Sequence, residues 1–183
     1  MVYFEKRGAE NTEKTLQLAR DEALKRGIKY VVIASTTGST GLQAAQLFQG
    51  TGLKLIIVGH STGHREAGQQ LMEPEKKAGI EKLGAEVFIG TDVLTGFPMV
   101  MRARNRFTAE SLIADALRMF GQGTKVAVEI VAMASDADLL PVEDVIAVAG
   151  TGKGADTCLV IGANSTNQFF DIKVREVLAK PKD

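Results

Sequence analysis

The hydrophobic residues of this chain fall into short runs that are separated by glycine-rich and hydroxyl-rich turns. Five runs have the length and β-branched content of buried strands: residues 28–34, 53–58, 87–89, 144–149 and 157–161. A short edge strand is expected at residues 2–4, and another strand at 174–178 after a helical turn in the tail. Apolar runs without alternation are typical of parallel strands that are covered on both faces. The pattern therefore predicts an α/β protein.

The segments between most of these runs have apolar residues at helical spacing. Helices are predicted from Asn11 or Thr12 to Gly27, over 42–49, from Pro74 to Gly84, and over 109–120 with Thr108 as the cap. The polar and basic segment before Thr108 is predicted to be a loop. Residues 125–137 are ambiguous, because β-branched content favours a strand while the spacing favours a helix. A parallel strand at 144–149 requires a crossover before it, so we interpret 125–137 as a helix. The short turn at 150–154 makes the last two of the five strands antiparallel neighbours.

The segment between the first buried strand and the next helix consists of hydroxyl residues and glycine. A strand, such a loop and a helix together direct backbone N–H groups and the helix dipole at one point. Hydroxyl groups add donors, and glycine lets a ligand approach the backbone. This chemistry suits a phosphate or another small anion, although a tight turn with a threonine N-cap would have the same pattern. The candidate residues are Ser35, Thr36, Thr37, Gly38, Ser39 and Thr40.

Two further loops are expected beside this one, because the carboxyl ends of parallel strands meet at one edge of a sheet. The segment 150–154 is not a P-loop, since Ala147 occupies the position of its first glycine and Gly154 that of its serine or threonine. His60 and His64 lie in a loop rather than on a helix, and no third ligand is evident, so no metal ligand is predicted. The candidate ligand contacts are His60, Ser61, Thr62, Gly63, Thr151, Gly152, Lys153, Gly154, Asp156 and Thr157.

The composition limits the classes of function. The 183 residues are interpreted as a single domain over 1–183, with 22 basic and 22 acidic side chains. Zero net charge argues against nucleic acid or a membrane as the partner. Cys158 is the single cysteine, which predicts an inert core thiol and a cytoplasmic location. Glu129 either faces solvent or reaches into the site, and it needs a partner if it is buried. Arg102, Arg104 and Arg106 form either a solvated loop or, as the sharper alternatives, a phosphate clamp or a subunit contact.

Several segments resemble a known family. The loop S-T-T-G-S-T-G at 35–41 and the strand D-V-I-A-V-A-G at 144–150 resemble parts of the pyruvate kinase C-terminal α/β domain. The whole chain is more similar to stand-alone, mostly archaeal proteins with a pyruvate kinase-like α/β domain. The further similar stretches are E-N-T-E-K-T-L at 10–16, V-E-I-V-A-M-A-S-D at 128–136, G-T-G-K-G-A-D-T at 150–157 and N-Q-F-F-D at 167–171.

This resemblance implies a three-layer α/β/α fold with a mixed sheet of order 3-2-1-4-5, in which strand 5 is antiparallel. It also supports the helix at 125–137. It does not imply pyruvate kinase activity, because the chain has no room for the catalytic barrel. Flavin mononucleotide is the ligand that the resemblance associates with the pocket. The chain lacks an Arg-Pro pair after Phe48, which argues against a sugar-bisphosphate effector.

Three functions remain open at this point, and the residues alone do not decide whether the protein is an enzyme. The first is a binding domain for a phosphorylated small molecule, flavin mononucleotide foremost. The second is a flavin-dependent enzyme with Glu129 or His60 as its acid or base. The third is a regulatory or assembly module without its own ligand. Because edge strands need cover, a homo-oligomer is expected, most simply a two-fold dimer.

Overall fold

A computed structural model describes residues 1–182. Seven strands are present: β1 (Val2–Phe4), β2 (Tyr30–Ala34), β3 (Lys54–His60), β4 (Glu86–Gly90), β5 (Asp144–Ala149), β6 (Thr157–Gly162) and β7 (Lys173–Pro181). The helices are α1 (Thr12–Arg26), α2 (Ser39–Phe48), α3 (Pro74–Lys82), α4 (Gly96–Arg102), α5 (Ala109–Arg118) and α6 (Gln122–Asp136). Short 3₁₀ turns cover Ala9–Asn11 and Thr166–Asp171. Among these helices, none combines the length and apolar character that a membrane crossing requires.

The strands form one mixed sheet of order β1-β7-β6-β5-β2-β3-β4. The four strands β4, β3, β2 and β5 run parallel, whereas β6 is antiparallel to both β5 and β7. When β2 is numbered as strand 1, the strands β2 to β6 have the predicted order 3-2-1-4-5 with the fifth antiparallel. The α/β class and the topology predicted from the sequence are therefore confirmed.

Helices cover both faces of this sheet and produce two apolar cores. On one face Ile33 and Ile57 pack with residues of α1, α2 and α3, including Leu16 and Ile80. On the other face Val32 and Ile56 pack against α6. Successive strand residues point to opposite faces, so a strand buried on both must be apolar throughout. This is why the strands read as continuous hydrophobic runs.

The helix predictions are confirmed where a capping residue marks the end. Gly27 adopts a left-handed conformation with φ 69° after α1, and Pro74 is the first residue of α3. Thr108 forms a capping box with Ser111 at the start of α5. Residues 125–136 are helical as predicted, although α6 already begins at Gln122 and Ala137 is its C-cap.

Three predictions about secondary structure are wrong. The predicted loop before Thr108 contains α4, whose seven residues are too few for a clear helical period. The helix predicted over 109–120 ends at Arg118. The last strand runs from Lys173 to Pro181, well beyond the predicted 174–178, because β6 and β1 both pair with it.

Only part of β7 has neighbours on both sides. β1 pairs with Ala179, Lys180 and Pro181, while β6 lies on the opposite side of β7. Within residues 1–182, the segment 173–178 therefore has one open edge. An open edge carries unpaired backbone groups that another chain can satisfy.

Close packing of α2 on the sheet gives a testable prediction. A Cβ at Gly41 would lie 2.6 Å from Ile57 Cγ2 and 3.0 Å from Ile80 Cδ1. We expect Gly41→Ala to lower the free energy of unfolding by about 1–2 kcal/mol, because overpacking outweighs the better helix propensity of alanine. Urea denaturation measures this change.

Gly79→Ala in α3 is the matched control. Its added Cβ would meet only the flexible end of Leu42, at 3.1 Å from Cδ1. We expect a free energy of unfolding that is unchanged or raised, because alanine favours the helix. Equal stabilities of the two variants would contradict the packing argument.

Candidate functional site

A cavity of about 870 Å³ opens at the carboxyl ends of the four parallel strands. The segments that follow β2, β3, β4 and β5 all contribute to its wall, together with the start of α1 and one face of α6. Part of the lining is apolar and comes from Ala34, Val58, Val126, Ile130 and Met133. A site at this edge of a parallel sheet has the location that the topology predicts.

The structure brings some of the predicted contact residues together and separates others from the cavity. The lining includes Ser35, Thr36, Thr37, Ser39, Thr40, His60, Gly152, Lys153 and Gly154. The predicted residues that do not line it are Gly38, Ser61, Thr62, Gly63, Thr151, Asp156 and Thr157. All sixteen lie in or next to the loops at the same edge of the sheet. A position near that edge does not by itself bring a side chain into contact with a ligand.

Asp156 and Thr157 hold the β5–β6 turn rather than facing the cavity, since they are 0% and 1% exposed. Asp156 Oδ2 accepts hydrogen bonds from the backbone N–H groups of Gly8 (3.0 Å) and Thr151 (3.1 Å). Thr157 Oγ1 donates to Asp156 Oδ1 at 2.8 Å. A buried carboxylate needs such partners. The prediction that these two side chains contact a ligand is therefore corrected to a structural role.

The loop before α2 presents a row of free backbone donors. Gly38, with φ 90°, is the N-cap residue, so the interpretation with a threonine N-cap is wrong. Ser35 Oγ accepts the N–H of Gly41 at 3.0 Å and thereby satisfies one group of the first helical turn. The five N–H groups from Thr36 to Thr40 donate to no acceptor within residues 1–182. They lie at the positive end of the α2 dipole, where an anion is favoured.

Gly38 is required by the shape of this loop rather than by a ligand. A Cβ there would lie 2.8 Å from Lys76 Cβ, and the positive φ disfavours any other residue. Lys76 Nζ donates to Ser39 Oγ at 2.8 Å and is paired with Glu73 at 2.7 Å. This lysine adds positive charge next to the loop.

Other basic groups surround the cavity. Lys153 and Arg65 contribute to its wall and form no ion pair with the described residues. Arg118 also lines it, and its guanidinium donates to Gln122 and Asp115. In contrast, Arg102 is paired with Asp115 at 2.7 Å and lies outside the lining, as do Arg104 and Arg106. The interpretation of these three arginines as a phosphate clamp does not apply to this cavity.

A buried ion pair lies in the wall that α6 provides. Lys125 and Glu129 are 1% and 3% exposed, and Lys125 Nζ donates to Glu129 Oε2 and to Thr95 Oγ1. Glu129 also accepts from the backbone N–H of Leu94 at 2.7 Å and from the Thr95 hydroxyl at 3.1 Å. Burial lowers the pKa of Lys125, and the Glu129 carboxylate opposes this shift. Glu129 is thus buried with partners in the cavity wall, and the alternative that it faces solvent is wrong.

Two histidines and an aspartate form a second polar cluster in the wall. His60 Nδ1 lies 2.8 Å from Asp92 Oδ1, and His64 Nδ1 lies 3.5 Å from Asp92 Oδ2. The two imidazole rings are stacked, with centroids 3.8 Å apart and planes at 16°. Burial and the neighbouring His60 ring lower the pKa of His64, while Asp92 raises it by less. His64 is therefore neutral at pH 7.

Sequence reasoning missed Asp92, Lys125 and Thr95. Asp92 follows the carboxyl end of β4, so the rule that was applied to the other loops would also have selected it. Lys125 and Glu129 are oppositely charged and four residues apart on a predicted helix, a spacing that places them side by side. No comparable local signal exists for Thr95, whose position depends on the undetected α4.

The buried pair gives the next prediction. Lys125→Met would leave the Glu129 carboxylate buried without its cation, so we expect the free energy of unfolding to fall by about 3 kcal/mol or more. Lys125→Met combined with Glu129→Gln should recover much of this loss, because glutamine still accepts from Leu94 N–H. Urea denaturation of the two single variants and the double variant measures the coupling. Additive losses would contradict the described pair.

Comparison with solved structures shows weak similarity. The chain is 15% identical to a pyruvate kinase from Cryptosporidium parvum over 84% of its own length and 23% of that chain, with a TM-score of 0.45. An O-ureido-L-serine synthase matches at 16% identity over 59% and 29% of the two chains, with a TM-score of 0.34. A hydrogen sulfide-producing enzyme from Fusobacterium nucleatum matches at 17% over 72% and 41%, with a TM-score of 0.35.

The chain thus spans less than half the length of each of these proteins. No family model matches it. The match to the pyruvate kinase is a weak similarity in fold. Membership in the stand-alone family stays a prediction.

Proposed function

We propose that this protein binds a phosphorylated small molecule, with flavin mononucleotide foremost. The observation that carries the proposal is the row of five free N–H groups from Thr36 to Thr40 at the N-terminus of α2. Phosphate oxygens are strong acceptors and carry the charge that this end of a helix favours. The hydroxyl groups of Thr36 and Thr40 lie in the same wall and supply further donors.

The remainder of the cavity suits a planar aromatic group next to the phosphate. The apolar residues Ala34, Val58, Val126, Ile130 and Met133 line it, and ligand sites typically combine such a surface with a few polar groups. The volume of about 870 Å³ exceeds what a lone phosphate needs. Lys153 and Arg65 could hold polar edges of the ligand. These properties favour a nucleotide-like ligand over inorganic phosphate.

A flavin-dependent enzyme that uses the same cavity is the second candidate. The observation that favours it is the hydrogen bond between His60 and Asp92, which would orient the imidazole as an acid or base. Glu129 is a poorer base, because Lys125, Leu94 and Thr95 already occupy its carboxylate. A module without a ligand is disfavoured, since its loop region would be filled rather than open.

The cytoplasmic location stays a prediction.

Titration of the purified full chain with flavin mononucleotide and with riboflavin, in buffer with EDTA, tests the proposal. We expect flavin mononucleotide to bind at least about tenfold more tightly, or about 1.4 kcal/mol, because only it carries the phosphate. Thr40→Val should weaken its binding by about tenfold or more, since a hydrogen bond to a charged group is lost. Riboflavin binding should not change.

Thr151→Val is the matched control, because Thr151 lies in the neighbouring loop but does not line the cavity. Its affinity for flavin mononucleotide should equal that of the original chain. Equal affinity for both flavins, or equal loss in the two threonine variants, would contradict the phosphate cradle. Absence of flavin binding together with tight binding of another phosphorylated compound would overturn only the flavin assignment.

We further infer a two-fold dimer that forms through the open edge of β7. Val174 in that edge is exposed, as are the nearby Phe170 and Phe120, and the three residues line one shallow apolar groove. Exposed apolar surface beside an unpaired edge favours association. Light scattering should give a mass about twice the 19.6 kDa of one chain.

Val174→Lys should shift the protein toward the monomer, because an edge lysine must be desolvated when a second strand pairs there. Val142→Lys is the control, since Val142 is exposed in the loop before β5, away from this groove. A mass of one chain at all protein concentrations would exclude the dimer.

A further inference from the structure

The cluster of His60, His64 and Asp92 has a property that the flavin proposal does not use. Asp92 is 3% exposed, yet its Oδ2 atom accepts no hydrogen bond from any residue in 1–182. A buried carboxylate oxygen without a donor is costly. His64 Nδ1 is the nearby polar atom, at 3.5 Å from this oxygen, and the pair does not form a hydrogen bond. The Oδ2 atom of Asp92 therefore lacks a hydrogen-bond donor among residues 1–182.

The turn after β3 brings the two histidines to this carboxylate. His64 N–H donates to Ser61 O at 3.3 Å, and Gly63, with φ 88°, closes the turn so that the two rings stack. Gln70 Nε2 donates to His60 O and to Thr62 Oγ1, both at 3.2 Å, which fixes the loop from the other side. No helix orients the two histidines of the H-x-x-x-H spacing. This turn brings their rings together instead.

We propose that His60, His64 and Asp92 bind a divalent transition-metal ion, with Zn²⁺ as the preferred ion. One potential ligand atom from each side chain lies within 4.8 Å of the other two. Ligands of a tetrahedral zinc ion lie about 2.0–2.2 Å from the metal and hence about 3.3 Å from each other. The three ligand atoms can approach to this distance by rotation of side chains alone, since the side chains of His60 and His64 are partly exposed, at 31% and 20%.

The donor set decides the class of metal. Two imidazole nitrogens with one carboxylate oxygen suit Zn²⁺ and its neighbours in the first row, whereas Mg²⁺ and Ca²⁺ prefer oxygen ligands throughout. Three protein ligands leave a fourth position for water or for a ligand in the cavity. All three residues line that cavity, so the open position faces it. The proposed ion would supply the positive partner that Asp92 Oδ2 lacks.

Calorimetric titration of the EDTA-treated and dialysed full chain with Zn²⁺ alone tests this site. We expect one ion per chain, with a dissociation constant of about 10 µM or lower. Asp92→Asn and His64→Gln should each weaken binding by about tenfold or more, because each removes a ligand. Co²⁺ in the same site should give the intense visible bands of a four-coordinate ion, and these bands should be lost in both variants.

Asp138→Asn is the matched control, because Asp138 is exposed at φ 58°, where asparagine is well tolerated. It should bind Zn²⁺ as the original chain does. Far-UV circular dichroism establishes whether each variant is folded. If Asp92→Asn does not fold, His64→Gln still tests the site, because it changes a residue in a surface loop. Failure of the original chain to bind, or equal affinity in all variants, would overturn the site. No phosphorylated ligand is present, so this result is independent of the flavin test.

Discussion

The parallel alignment of β4, β3, β2 and β5 is the constraint on which the rest of the structure depends. Four chain segments leave these strands at one edge, and each contributes to the cavity wall. Each crossover must return over a face of the sheet, which places α2, α3 and α6 against it. The cavity lies between the loops that end the strands and the helices that begin the crossovers. Its existence follows from topology, and its chemistry follows from the loop residues.

The helix α6 connects the opposite face to the same cavity. Eleven of its fifteen residues are buried, and two of them are the charged Lys125 and Glu129. Their network reaches Leu94 and Thr95 and so ties the segment after β4 to the helix. Asp92 lies two residues before Leu94. The buried pair therefore positions the segment that carries Asp92.

The fold could be predicted because its determinants are local. Apolar runs mark β2, β3 and β5, and Gly27, Pro74 and Thr108 mark helix ends. The site residues were harder to predict, because a ligand contact depends on where a side chain points as well as on its position in the fold. Asp156 and Thr40 both lie at the same edge of the sheet, but the side chain of Asp156 is held away from the cavity by the N–H groups of Gly8 and Thr151. Contacts between residues 148 positions apart leave no local pattern, and α4 is too short for one.

The two halves of the sheet have different physical properties. The parallel half ends in loops with free N–H groups, buried charges and the unpartnered oxygen of Asp92. The buried oxygen of Asp92 costs stability unless a ligand satisfies it, and the free N–H groups offer donors to an anion, so both favour binding. The antiparallel half, with β6, β7 and β1, has an open edge and exposed apolar side chains such as Phe170 and Val174. The cavity and the open edge lie on different strands. Changes at the β7 edge should therefore alter association without altering the cavity. Changes in the loop before α2 should alter ligand binding without altering association.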